Sequence, residues 1–164
     1  MDDMQTMVTD AGSEIADGAP RDVAFSREKV MAIQEVIADL PQVELPTLHH
    51  FSKIGCPHPT KVYLRQVFHP AGVAVVGFEH LDEHLFILAV GHLTITTDDG
   101  DMDIRGPCVM NTKPGMKRVA YAHEDSIIMT IHATDLDDPD AIMDSILKPE
   151  PGSPYRAAFG GGAL

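Results

Sequence analysis

Two of the nine histidines in this chain, His80 and His84, stand four positions apart in the run GFEHLDEHLFILAVG between Gly77 and Gly91. A neutral imidazole gives one lone pair to a divalent metal and suits zinc, iron, nickel or copper. An H-x3-H pair across a turn can bring two such nitrogens to one ion. Useful affinity needs a third protein ligand, and His132 is the candidate because it closes the last apolar run, SIIMTIHAT. Two cofactor readings stay open: none, or one divalent transition metal, with zinc, iron, nickel and manganese as the candidates. Glu79 and Glu83 are near in sequence, but period-two alternation turns Glu79 away from His80, and Glu83 falls in the turn. The competing reading is a pair of polar residues at the end of a sheet with no ion between them. Most of the scattered His49, His50, His58, His69, His92 and His123 read as surface or turn residues. No catalytic nucleophile is assigned, because neither G-x-S-x-G nor a glycine-rich phosphate loop occurs.

Short strands must position these residues. From Val43 to Thr134 the sequence runs through VELPTLHHF, KVYLRQVF, GVAVVGF, HLFILAVGHLTITT, MDIR, KRVAYA and SIIMTIHAT. These are rich in β-branched residues and bounded by Pro, Gly, Asp and Asn. The run Asp98-Asp99-Gly100-Asp101 predicts a hairpin turn. Many short strands at close spacing predict a sandwich or barrel and not a βαβ fold. A helix is predicted over about Ser26 to Leu40, capped by Ser26 and ended by Pro41, with Val30, Ile33, Ile37 and Leu40 on its apolar face. A second, short helix should open at Asp138-Pro139 and run to about Leu147. Residues 1–22 read as an acidic arm, disordered or ordered by a partner. They carry six acids against Arg21 and few large apolar groups. Residues 23–148 form the domain with its flanking helices, and the Pro/Gly-rich residues 149–164 form a second arm.

Composition narrows the partners. The 164 residues carry a net charge of −13, from 12 Lys and Arg against 25 acids. That balance argues against nucleic acid and against an anionic membrane surface, both of which call for clustered cations. The longest apolar run, Leu85 to Val90, is too short to span a bilayer. The acidic N-terminal stretch has no apolar core of a secretory signal. A cytoplasmic or virion location is the expectation. Cys56 and Cys108 lie far apart without C-x-x-C spacing, which fits neither a disulfide scaffold nor a zinc ribbon.

Farther along, Pro107, Pro114-Gly115-Met-Lys-Arg118 and the strand ending near His132 complete a pattern. It resembles the cupin superfamily, small jelly-roll barrels with the motifs G-x5-H-x-H-x3-4-E-x6-G and G-x5-P-x-G-x2-H-x3-N. His80 matches the second histidine of the first motif. His84 stands at the glutamate, with six residues between it and the closing Gly91, and Phe78 stands at the first histidine. In the second motif Gly115 aligns, Arg118 occupies the histidine position and Ala122 the asparagine. The resemblance implies a mainly β fold, a single cupin-type β-barrel with an N-terminal helix, a short C-terminal helix and extended terminal arms. It also implies that metal ligands converge at the barrel mouth. Arg118 cannot donate to a metal. It can pair with Glu79, Glu83 or Glu124, or grip an anionic ligand. A narrower likeness rests on His49-His50-Phe51, VYLRQ, the histidine element, PGMKRVAYAHED and IHAT. It is to small cupin-like proteins of tailed bacteriophages and prophages.

Three functions follow as expectations. The leading one is a non-enzymatic assembly or binding module that homo-oligomerises or binds other subunits through its arms, as a virion or accessory protein would. The second is a metal-dependent enzyme, a dioxygenase, lyase or isomerase, with His80, His84 and His132 on the metal and Arg118 on the substrate. The third is a barrel that binds a small ligand or carbohydrate without metal.

Overall fold

The structure is a computed structural model that describes residues 23–54 and 60–149. The N-terminal arm, most of the C-terminal arm and Cys56 lie outside these residues. Helix α1 (Val23–Ala38) comes first. Among the described residues nine strands follow: β1 (Thr47–Ile54), β2 (Thr60–His69), β3 (Ala74–Val76), β4 (His84–Val90), β5 (His92–Thr97), β6 (Gly100–Arg105), β7 (Cys108–Thr112), β8 (Arg118–Ala122) and β9 (Ser126–Thr134). Helix α2 (Pro139–Ile146) closes the order. All strand pairs are antiparallel. They make a five-stranded sheet in the order β1-β2-β9-β4-β7 and a four-stranded sheet in the order β3-β8-β5-β6. The chain is thus a mainly β jelly-roll sandwich with a helix at either end, as expected.

The two sheets face each other across one apolar core. Phe86 and Leu88 of β4 meet Leu93 and Ile95 of β5 and Ala120 and Ala122 of β8, all buried. Ile104, Cys108, Met110 and Ile128 pack against them. Each large aliphatic group withdrawn from water here contributes about 1.5–3 kcal/mol. Aliphatic and methionine side chains do what aromatics do in other cores, since the chain has no tryptophan. A second small cluster joins Tyr63 of β2 to Ile142 and Ile146 of α2.

Gly91 makes the jelly roll possible where the chain leaves one sheet for the other. Its φ is +105°, and a Cβ there would lie 2.7 Å from Ser126 Cα. Only glycine supplies both the left-handed backbone and the close approach. The expected single run HLFILAVGHLTITT is therefore two strands in different sheets. The hairpin expected at Asp98-Asp99 is present between β5 and β6, with the Thr97 hydroxyl accepting the Asp99 amide at 3.1 Å.

Three expectations need correction. The first helix spans Val23–Ala38, so position 26 lies within it and not ahead of it, and the helix ends before Pro41. Its apolar face is only partly used: Val30 is fully buried, Ile33 and Ile37 are half-buried, and Leu40 is 54% exposed. Strand β7 was not among the expected strands. Its run CVMNT has weak alternation, and pairing with β4 creates it. At α2, Pro139 sits in the first turn as expected, but the Asp138 side chain makes no capping hydrogen bond. Among the described residues no helix is long and apolar enough to cross a membrane.

Candidate metal centre

Register carries His84 and His132 to one place. β4 pairs with β9 through Leu85 and Ile131, which sets His84 directly across from His132. β9 pairs with β2 through His132 and Tyr63, and β4 with β7 through His84 and Thr112. One row of side chains thus runs Tyr63, His132, His84, Thr112 across the five-stranded sheet, and all four are buried. The next row inward on that face is Arg65, Thr130, Phe86, Met110. The row after that is Val67, Ile128, Leu88, Cys108. Imidazole and hydroxyl groups at the rim give way to aliphatic groups inside.

His80 reaches the same point from the segment between β3 and β4. That segment is held like a strand: His80 bridges to Leu147, the Leu81 amide donates to Ile146 at 2.8 Å, and the Lys148 amide donates to Glu79 at 2.9 Å. The end of α2 therefore anchors the backbone that carries His80. Beside it, the buried Glu79 carboxylate pairs with Arg27 of α1 and, at 3.1 Å, with Lys148. The hydrogen-bonding partner of Glu79 is the helical frame and not the site, as alternation requires.

The three rings converge. Centroids of His80 and His84 are 3.9 Å apart, those of His84 and His132 4.8 Å, and those of His80 and His132 5.1 Å. One potential ligand nitrogen from each lies within 4.8 Å of the others. His80 Nδ1, His84 Nε2 and His132 Nε2 are buried with no hydrogen-bond partner. Three unpartnered ring nitrogens in one buried spot would each be costly in a site meant to stay empty of polar partners. The His84 Nδ1–H donates to the Asp82 carbonyl at 3.3 Å, which leaves Nε2 of the neutral ring as the lone-pair atom.

Electrostatics favour the neutral, metal-binding form. Burial, then the neighbouring His84, His132, Arg118 and Arg65, pushes His80 down to about 2. Burial is also the first cause for His84, which Arg118 lowers further, to about 4. Burial, His84 and Arg65 bring His132 to about 4. All three rings are thus unprotonated at neutral pH, as metal ligands must be.

Arg118 faces this centre from the opposite sheet. Its Nη1 donates to Thr112 Oγ1 at 3.1 Å, and its guanidinium lies 4.5 Å from the Phe86 ring centroid. Gly77 makes room for it, since a Cβ there would lie 3.2 Å from Arg118 Cγ. Desolvation lowers its pKa to about 10, still well above neutrality. The expected ion pairs are corrected: Glu79 is taken by Arg27 and Lys148, Glu124 pairs with Arg105 at 3.0 Å, and Glu83 is exposed. Among the described residues no carboxylate pairs with Arg118. Beside it, where the edge strands β6 and β7 of the two sheets face each other, a cavity of about 200 Å³ has Met102, Met110, Thr112 and Arg118 on its wall, together with the charged Asp99 and Lys113.

Four residues singled out in the sequence therefore share one end of the sandwich. Thr112, which holds Arg118, and the Tyr63 hydroxyl, 2.7 Å from His49 Nδ1, gave no signal of their own. The register that aligns them is a property of strand pairing. His49 is thus no bystander, although its expected exposed position holds, whereas His69, grouped with the surface or turn histidines, is fully buried with Nε2 at 2.9 Å from the Val73 carbonyl.

A jelly-roll sandwich with a histidine cluster at one end defines the class of this protein. Comparison with known proteins adds the fold neighbours. Solved structures similar to it include a cupin superfamily protein from Desulfitobacterium hafniense, at 16% identity over 58% of this chain and 84% of that one, TM-score 0.39. Another is a cupin-2 domain containing protein from Shewanella frigidimarina, at 20% identity over 66% of this chain and 98% of that one, TM-score 0.38. An RmlC-like cupin from the same organism has 12% identity over 57% and 88%, TM-score 0.41. No protein-family model and no curated protein matches the sequence.

Proposed function

We propose that this barrel binds one divalent transition metal through His80, His84 and His132, and that Arg118 beside it receives a small anionic ligand. The three buried, unpartnered ring nitrogens carry the reading. An all-imidazole set suits zinc, iron, nickel or copper better than manganese, which favours oxygen donors. Three protein ligands leave coordination positions open, as in catalytic rather than structural sites. A metal bound there would act as a Lewis acid toward a ligand oxygen. Arg118, with no carboxylate partner among the described residues, is free to take a carboxylate in a two-pronged grip. The cavity between β6 and β7 gives such a ligand its approach, while Ile142 and Ile146 of α2 cover the far side over Tyr63.

Metal analysis of untagged protein tests this. The expected result is close to one equivalent of metal in the wild type, lost in His84→Ala and His132→Ala. Arg118→Met should keep the metal but lose the thermal shift given by small mono- and dicarboxylates. Protein that takes up no metal, or equal uptake by wild type and His84→Ala, overturns the reading.

A second reading is the assembly module. The arms expected to carry it fall largely outside the described residues. Its support comes from exposed apolar side chains on α1, on β1 and on the segment between them, where Val36, Leu40, Val43, Leu48 and Phe51 are between 43% and 66% exposed. Large exposed apolar areas mark interaction sites. A concentration-independent monomer mass, measured by light scattering, would remove it. The phage-related version of this reading stands on the sequence likeness alone.

A further inference from the structure

The outer face of the four-stranded sheet carries a second cluster that the interior centre does not use. His92 opens β5, and His123 lies just past β8. Pairing of Leu93 with Ala122 sets the two histidines directly across from each other, and the His123 amide donates to the His92 carbonyl at 2.9 Å. Their rings stack with centroids 4.4 Å apart. On the other flank of β5, Thr94 pairs with Asp103, which places Asp103 on a diagonal from His92. Both Asp103 carboxylate oxygens come within 2.9 and 3.0 Å of His92 Nε2. The orientation of His123 is fixed twice. Its Nε2 meets Thr94 Oγ1 at 2.7 Å, and the Tyr121 ring stands edge-on at 5.0 Å.

One ligand atom from each of His92, Asp103 and His123 lies within 4.8 Å of the other two. Directly opposed residues of an antiparallel pair have Cβ atoms about 4.5–5.5 Å apart, a separation from which two imidazoles can close on one ion. Two imidazoles and a carboxylate are a donor set for zinc or copper(II), with positions left for water. His123 and Asp103 are exposed and His92 half-buried, so an ion arrives from solvent without opening the fold. The net charge of −13 raises the local concentration of cations.

We infer that His92, Asp103 and His123 form a second, surface site for a divalent cation of the zinc and copper(II) class. It does not rest on the interior reading, because residues, sheet face and access all differ. A bound cation replaces the hydrogen bond between His92 and Asp103 and ties β5, β6 and the end of β8 together on the outside.

Zinc titration of the untagged full chain by calorimetry tests the site. The proteins are wild type, His123→Gln, Asp103→Asn, His80→Ala/His84→Ala, and that double variant with His123→Gln added. The double variant should keep one equivalent, and adding His123→Gln should weaken or abolish it, by roughly tenfold or more. His123→Gln alone should leave any interior equivalent untouched, so failure of one site is told apart from failure of the other. Should the interior double variant not fold, copper(II) added to wild type up to two equivalents gives a second readout. Amide signals of residues 92–94, 103 and 121–123 should broaden in NMR spectra, whether or not the interior site fills as well. Zinc binding unmoved by both His123→Gln and Asp103→Asn, or copper broadening elsewhere only, overturns the inference.

Discussion

Acid should unfold the metal-free protein through its interior histidines. Free histidine titrates near 6.5, whereas the folded chain holds His84 and His132 at about 4 and His80 at about 2. The folded state disfavours the protonated ring, so the unfolded chain takes up protons first. Stability is therefore complete above the unfolded value of 6.5 and falls as the pH drops toward the folded values. At about pH 5 each of the three costs about 2 kcal/mol, or about 6 kcal/mol together as an upper bound. Domains of this kind are stable by about 5–15 kcal/mol, so most of the margin can go over two pH units. Urea unfolding in chelator, at several values between about pH 7.5 and pH 5, measures the loss. The double variant His84→Gln/His132→Gln should have a pH slope shallower by about 4 kcal/mol over that range. His49 and His69 are also lowered by burial but are present in both proteins, so their effect cancels. An equal slope in wild type and double variant would refute the reasoning.

Other perturbations have defined outcomes. Gly91→Ala adds a Cβ against Ser126 at a left-handed backbone, and should cost at least about 2–3 kcal/mol in urea midpoints. Leu88→Ala, deep in the core, should cost about 2–5 kcal/mol by the same measurement. Glu79→Gln should lower stability by about 1 kcal/mol, because it removes one of the two carboxylates paired with Arg27, which keeps Asp98 at 2.8 Å. Lys148→Ala, whose ammonium is largely exposed, should change stability by less than about 1 kcal/mol.

Much of the frame could be read in the chain because local chemistry sets it. Asp98-Asp99-Gly100 makes its hairpin wherever it stands, and Pro139 starts a helix for the same reason. The β-branched run from Ser126 to Thr134 is a strand from end to end. His80, His84 and His132 could be singled out because few residue types bind metal. What lay beyond reach was set by pairing. Nothing in CVMNT states that it will lie beside β4, and so Thr112 could not be connected with Arg118. Arg118 was expected to find a glutamate, yet Glu79 is claimed by a helix 52 residues away in sequence, at Arg27. The start of α1 was misplaced because Ser26 can begin a helix or continue one, and flanking residues decide.

His84 and His132 are rungs of one ladder, fixed to each other by the backbone of β4 and β9. Arg118 belongs to the facing leaf and reaches this one at the Thr112 hydroxyl and the Phe86 ring. A slight spreading of the two leaves would lengthen the guanidinium's reach while the imidazole pair kept its spacing. On the proposed function, grip on an anion and hold on an ion would then be separable, so substitutions in the cleft between β6 and β7 should alter the first with little effect on the second.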